Sequence, residues 1–495
     1  MKKNIALPVI IIALLVAGYF VLSNAKGEPK KNNKRPGVVQ SIAVLPFLNM
    51  SNDSGQEYFS DGLTDDILNS IAHLKGLKVC SRTSSFKFKG KNISIKDIGK
   101  QLGVNAVLEG SVQREEDRVR ITVQLINVED EFHFWSEQYD EKLDNIFLLQ
   151  SKIADAIADK LEIESPDKKL TAKKTIINKD AYDLYLKGRY SWNLRIPAEP
   201  KKGIDLFQQA IKLDPSYAAA YSGIADCYTA LGYGSFLAPK EAFPKALEAA
   251  TRALQLDSTL AEPHASLGYY RFYFDWDWAA AEQEFRAAIS LNPNYEIGYD
   301  WYGYYLTAMK RYEEARTILK KAAELDPLSV PINTDIGFSL FYSGDNDAAI
   351  EKLNVSLAMN PNYGLAHLWL GRVYQEKKMF KESIAEYKRA LQLIMQWPVA
   401  FAALGNVYGL SGDKKGAKNI LDTLNLLSAK RFVTSYGVAL VYAALNEKDQ
   451  AFQWLNKAYD ERSHWLVWLK SDPRWINIRS DKRFADLINN VGLPE

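Results

Sequence analysis

The sequence predicts an α+β domain built on a mixed sheet, then a long all-helical repeat array, with one apolar N-terminal helix ahead of both. Three observations lead there. Residues 41–165 alternate short β-patterned runs with helical ones, glycines recur every 34 residues from Gly303 to Gly405, and residues 5–22 form an uncharged apolar run. A length of 495 residues suits about three domains or one long array. With 47% hydrophobic and 25% charged residues the chain is too apolar for disorder. A formal charge of +2 excludes a binder driven onto nucleic acid by electrostatics. Cys80 and Cys227 stand too far apart for a disulfide framework or a thiolate metal cluster.

Residues 1–4 form a short tail and 5–23 the expected transmembrane anchor. The apolar run spans about 27 Å as a helix, the short end of what crosses a bilayer core. A cleaved signal peptide is the competing reading, with Lys2 and Lys3 before the run and Ser23-Asn24-Ala25 after it. Residues 24–40 make a polar linker carrying Lys26, Lys30, Lys31, Lys34 and Arg35. By the positive-inside rule, that flank places the C-terminal body in the cytoplasm.

In the α+β domain (41–165), Ser41 to Leu48 reads as a buried strand ended by Pro46. A helix follows through Leu63, Ile67, Leu68, Ile71 and Leu74, whose spacing puts them on one face. Leu77 to Ser81 is a second strand, Ser94 to Leu102 a helix stopped at Gly103, and Val104 to Gln113 a third strand. Val119, Ile121, Val123 and Leu125 alternate with Arg118, Arg120, Thr122 and Gln124, the signature of a strand with one buried face. Phe132 to Tyr139 pairs with it, and Leu143 to Leu161 closes the unit as a helix.

These same segments, IAVLPFLNMSNDSGQEYFSDGLTDDILNSI, VCSRTSSFKFKG, VLEGSVQ, VRITVQLINVEDEFHFWSEQYD and IFLLQSKIADAIA, resemble the TolB amino-terminal-like domain. The resemblance implies an extracytoplasmic body, since that family often forms the outer half of membrane-anchored cyclases, kinases or winged-helix regulators. It thus opposes the flank charge, and the extracytoplasmic side is the expectation kept. Only four residues precede the apolar run, so any such output is expected from a separate chain. Within the domain, Asp61, Asp65 and Asp66 read as acids near a helix start, complementing its dipole, rather than as a metal site. Arg82, Ser84, Ser85, Lys87 and Lys89 form a basic, hydroxyl-rich loop after the second strand, where open sheets bind ligands. A solvated loop without a ligand is the plainer alternative.

After a linker (166–179) comes the repeat array (180–463). Gly303, Gly337, Gly371 and Gly405, with Ala439 in register, are each followed twelve residues later by Ala315, Ala349, Ser383, Ala417 and Ala451. Pro215, Pro293, Pro327 and Pro361 close several units. Small residues at these offsets with a 34-residue period are the mark of tetratricopeptide repeats, about eight here. The motif register puts Tyr269, Tyr273, Asp300, Tyr304, Thr307, Phe338, Phe341, Tyr342, Arg372 and Gln375 on the A-helix faces that line the concave groove. Such an aromatic strip either anchors a partner protein or peptide, or packs between adjacent A helices. Residues 464–495, with Trp465, Trp468, Trp475 and Phe484, read as a cap over the last repeat.

The five histidines are scattered, and no HExxH, nucleotide fingerprint or nucleophile elbow occurs. No catalytic residue, metal or cofactor is therefore expected. The chain reads as a membrane-anchored interaction scaffold. The alternative is a sensory subunit whose α+β domain binds a small ligand and signals to a separate cyclase, kinase or transcription regulator.

Overall fold

The computed structural model describes residues 39–74, 76–163, 178–194 and 199–494. The expected anchor at 5–23 lies outside them. Among the described residues no helix is long and apolar enough to cross a membrane.

Strand β1 (Ser41–Val44) stops before Pro46, which has no N–H to donate, and the chain rejoins the sheet as β2 (Leu48–Asn49). The two remaining parallel-side strands are β3 (Lys78–Val79) and the N-terminal part of β4 (Ala106–Glu115). Antiparallel pairing then adds β5 (Arg118–Asn127) and β6 (His133–Lys142), giving the order β3-β1-β4-β5-β6 with β2 beside β4. The alternation in β5 holds: Val119, Ile121, Val123 and Leu125 are fully buried while Arg118 and Arg120 face water. Between β1 and β4 run α1 (Glu57–Ala72), the single-turn α2 (Arg82–Ser85) and α3 (Ile95–Leu102). Helix α3 is bounded at both ends as its sequence demands. The Ser94 hydroxyl accepts from the Asp97 N–H, and Gly103 takes the left-handed conformation at the other end. Helix α4 (Ile146–Lys160) comes after β6 and buries Leu149, Ile153 and Ile157.

From Lys179 to Asp460 the described chain is helical and falls into eight antiparallel pairs. They are α5 (Lys179–Asn193) with α6 (Glu199–Leu213), α7 (Ala218–Tyr233) with α8 (Pro239–Leu256), and α9 (Glu262–Tyr270) with α10 (Trp278–Leu291). Next come α11 (Glu296–Ala308) with α12 (Tyr312–Leu325), α13 (Val330–Tyr342) with α14 (Asn346–Met359), and α15 (Gly364–Glu376) with α16 (Phe380–Leu393). The last are α17 (Pro398–Leu410) with α18 (Lys414–Ser428), and α19 (Ser435–Ala444) with α20 (Lys448–Asp460). One pair is irregular: α9 runs into a π-helical stretch, Arg271–Asp275, that ends at Trp276 in the left-handed region. Helix α21 (Lys482–Val491) ends the chain.

The periodic small residues are explained by contact between partners within a pair. A Cβ on Gly303 would lie 2.4 Å from Leu319, one on Gly337 2.7 Å from Leu353, and one on Gly371 2.6 Å from Tyr387. Each glycine thus lets the following helix lay a large side chain directly on its backbone. Twelve residues on, Ala315, Ala349, Ser383, Ala417 and Ala451 are fully buried, and the Ser383 hydroxyl donates to the Gly371 carbonyl. Gly303→Ala is accordingly expected to lower stability by about 1–3 kcal/mol through overpacking against Leu319. Urea unfolding of the variant beside the parent checks this, with the midpoint moving down at unchanged slope.

Candidate functional site

The aromatic A-helix residues read as groove-lining are gathered into one buried cluster rather than standing open to solvent. Tyr269, Tyr273, Asp300, Tyr304, Phe338, Phe341, Tyr342 and Arg372 are each at most 6% exposed. Tyr273, Phe338, Tyr342 and Arg372 are covered by the chain's own 3₁₀ segment His464–Trp468. Trp468 stacks on Tyr342 at 4.5 Å between ring centres and meets Phe338 edge-on at 4.9 Å. His464 lies 5.9 Å from Tyr273, and Trp465 stands within 6.5 Å of Tyr233. Neighbouring A helices also touch through the same side chains, as in Tyr304 against Phe338 at 4.9 Å. The two readings of the aromatic strip therefore coexist: the rings pack between helices and face a lumen, and the lumen is filled. The expected terminal cap reaches further than the last repeat. Trp475 donates to the Tyr436 hydroxyl at 2.8 Å in α19, while the Gly492 carbonyl accepts from Trp278 in the third pair at 2.6 Å.

Polar groups in the lumen are sparsely matched. Thr307 bonds Ser339, and Gln375 bonds Asn406 at 2.8 Å, each linking one A helix to the next. Asp335, unremarked in the sequence, is buried beside Tyr304 and Asp300, and burial pushes its carboxyl above the ordinary range. His464 has no hydrogen-bond partner on either ring nitrogen among the described residues, and burial pushes it down to about 3, so the ring is neutral. The signal that marked this segment was the tryptophan density after the last repeat, where solvent exposure would be costly.

The basic stretch after β3 is likewise engaged by the chain itself, and much of it is helical rather than loop. Ser84 and Ser85 are fully buried. Ser84 donates to Asp326 at 2.5 Å and accepts from the Leu328 N–H at 2.8 Å, both in the turn between α12 and α13. Arg82 sits over the Phe86 ring at 3.7 Å with Asp65 3.8 Å away, and Lys89 holds Asp61 and Glu57 at 2.5 Å. Of the five, Lys87 is the one left exposed to solvent without an ion pair among the described residues. The three acids lie inside α1, not at its start, and each is committed to neighbours. Asp66 accepts from Tyr182 at 2.6 Å and from Gln150 at 3.0 Å. Arg189 of α5 lies 3.9 Å from Asp65 and 3.5 Å from Asp226 of α7. A dipole role at a helix start is thus replaced by a joint between sheet domain and repeats.

Asn294, between α10 and α11, completes that joint. Its Oδ1 accepts from the Val79 N–H at 3.0 Å, and its Nδ2 donates to the carbonyls of Ala72 and Leu77 at 2.8 and 2.9 Å. Together with the Ser81 N–H donating to the Leu325 carbonyl, this covers the β3 edge of the sheet.

Residues 38–156 match the family described as HilA/YgeH-like transcriptional regulator, second domain. The stretch that resembles a TolB-type domain is thus matched under a HilA-like description. Residues 298–327 and 334–396 match tetratricopeptide repeat families. Over 190 residues the chain is 36% identical to putative adenylate cyclase 3 of Rhizobium meliloti (strain 1021), covering 37% of this chain and 32% of that protein. It is 22% identical over 367 residues to transcriptional regulator HilA of Salmonella typhimurium, covering 67% of this chain and 59% of that one. The chain therefore spans about a third and about three fifths of these curated relatives. Among solved structures, the APC/C hetero-tetramer Cut9–Hcn1 is similar at a TM-score of 0.44 and 16% identity, over 69% of this chain and 59% of that chain. The three helix pairs from α11 to α16 thus match tetratricopeptide repeats, and they follow a mixed-sheet domain that matches a HilA-like description.

Two outcomes are expected of the joint. Asn294→Ala leaves three buried backbone groups unpaired and should lower stability by about 3 kcal/mol or more, separating one thermal transition into two by calorimetry. Burial pushes Asp66 up to about 7 from an ordinary 3.8. The folded state therefore holds a proton that the unfolded chain releases, and the resulting stability is full in acid and lost as pH rises through about 7. Melting temperature should fall between about pH 4 and pH 7, and Asp66→Asn should flatten that decline.

Proposed function

We propose that this chain is a non-catalytic interaction protein, tethered to a membrane through residues 5–23, whose repeat array receives a partner protein or peptide. The observation that carries the reading is the content of the lumen. Its aromatic wall already takes a short 3₁₀, tryptophan-bearing segment of the chain itself, the kind of aromatic anchor such a wall suits. On this reading Tyr269, Tyr273, Asp300, Tyr304, Phe338, Phe341, Tyr342 and Arg372 contact the partner once His464–Trp468 has moved aside. The soluble body is placed outside the cytoplasm, in line with the TolB-like resemblance of the first domain.

A second reading is favoured by the two relatives. One is named a putative adenylate cyclase and the other a transcriptional regulator, and both share part of their length with this chain. That supports a regulatory subunit whose sheet domain, docked through Ser84 on Asp326 and through Asn294, passes its state to a separate cyclase, kinase or transcription regulator through the repeats.

Trp468→Ala removes the ring wedged between Phe338 and Tyr342. It should cost about 3–5 kcal/mol of stability yet raise capture of the partner from detergent extracts by the tagged full chain. Unchanged capture by a folded variant would move the binding surface off the concave wall. Protease added to permeabilised whole cells should cut the repeat array; protection until lysis would place the body in the cytoplasm instead.

A further inference from the structure

One cation in the lumen lacks a counter-charge of its own among the described residues. Arg372 of α15 is 3% exposed, and its Nε and Nη1 have no hydrogen-bond partner there. Its guanidinium carbon lies 4.1 Å from the Trp369 ring and 4.9 Å from the Trp465 ring. Both flanking indoles also leave their Nε1–H groups unpaired. The carboxylate that acts on Arg372 is Asp472, and it is already committed. It accepts from Arg474 Nε at 2.9 Å, from Arg474 Nη2 at 2.6 Å and from the Tyr436 hydroxyl at 2.9 Å. Arg474 itself repels Arg372, and burial opposes the charge further.

Buried charges persist when something pairs them, and a guanidinium with two unpaired nitrogens in a closed lumen is costly. Arg372 Nε and Nη1 and the two indole Nε1–H groups are unpaired donors, and the acceptor beside the guanidinium is the neutral Tyr342 hydroxyl, so the missing group is an acceptor carrying negative charge. Two indole walls bound the guanidinium, which selects a flat group lying along its edge over a tetrahedral one. Trp465 covers the residue, so a partner chain would first have to expel His464–Trp468, and the occupant argued for is a small molecule.

We propose that Arg372 anchors an internal site for a small carboxylate, held along the guanidinium edge between Trp369 and Trp465. The site stands whether or not a partner protein enters the lumen. Its occupant neutralises the lumen and fixes the segment that fills it, so carboxylate binding and segment closure strengthen each other.

The test is thermal unfolding of the full chain in sodium acetate, against sodium chloride at matched ionic strength, with inorganic phosphate as a third series. Acetate should raise the melting temperature along a saturating curve, and Arg372→Met, which keeps the volume without the charge, should abolish the rise. Far-UV circular dichroism verifies that this variant folds. If it does not, Arg372→Gln takes its place, and saturation in the parent still separates a site from a bulk salt effect, which does not saturate. A rise equal in parent and variant, no saturating rise, or a saturating rise with phosphate alone would each overturn the proposal.

Discussion

The aromatic wall of the concave face imposes the constraint on which the rest of this structure depends. From the second helix pair to the last, rings gather in one buried cluster, from Tyr233 to Tyr436, and so much apolar area cannot stay wet. Residues His464–Trp468 meet that demand from inside the same chain. The fit is apolar first and polar second: stacked and edge-on rings are satisfied, while several ring nitrogens, hydroxyls and the Arg372 guanidinium are left short of partners among the described residues. An interior with that imbalance is well suited to being occupied and poorly suited to being inert.

A second constraint binds the sheet domain to the array. A short parallel edge strand such as β3 exposes backbone groups that water or another chain would claim. Asn294 and the Leu325 carbonyl take them, and Arg189 carries charge across from Asp65 to Asp226. Residues 40–495 consequently form one compact unit, not a domain on a tether. Any change in the sheet domain is felt first at α5 and at the turns following α10 and α12.

Periodic signals made most of the fold readable. The two-residue alternation of β5 and the 34-residue recurrence of glycine each report a local repeat of geometry, and both appear as expected. Register alone also put the groove residues on one wall. Their cover was not readable, because it joins positions more than a hundred residues apart with no periodic mark. Ser84 gave the same difficulty in sharper form. Its hydroxyl and the nearby lysines read as a ligand loop, whereas the partner of that hydroxyl is Asp326, 242 positions away. Asp61, Asp65 and Asp66 looked like acids at a helix start because the helix begins a turn earlier than the apolar spacing suggested. A hydroxyl or carboxylate advertises its chemistry in sequence, but not whether the partner is a ligand or the rest of the chain.

The tie between Trp278 and Gly492 carries a consequence for how such a chain can evolve. Open solenoids grow and shrink by whole repeats, because each unit answers only to its neighbours. Here the third pair is held to the chain end, and Trp468 must arrive opposite Phe338 and Tyr342. Duplicating or losing a single unit would carry that tryptophan past its seat by a full helix pair. The number of units between the third pair and that tryptophan is therefore tied to the closure, whereas substitutions within a unit leave the spacing intact.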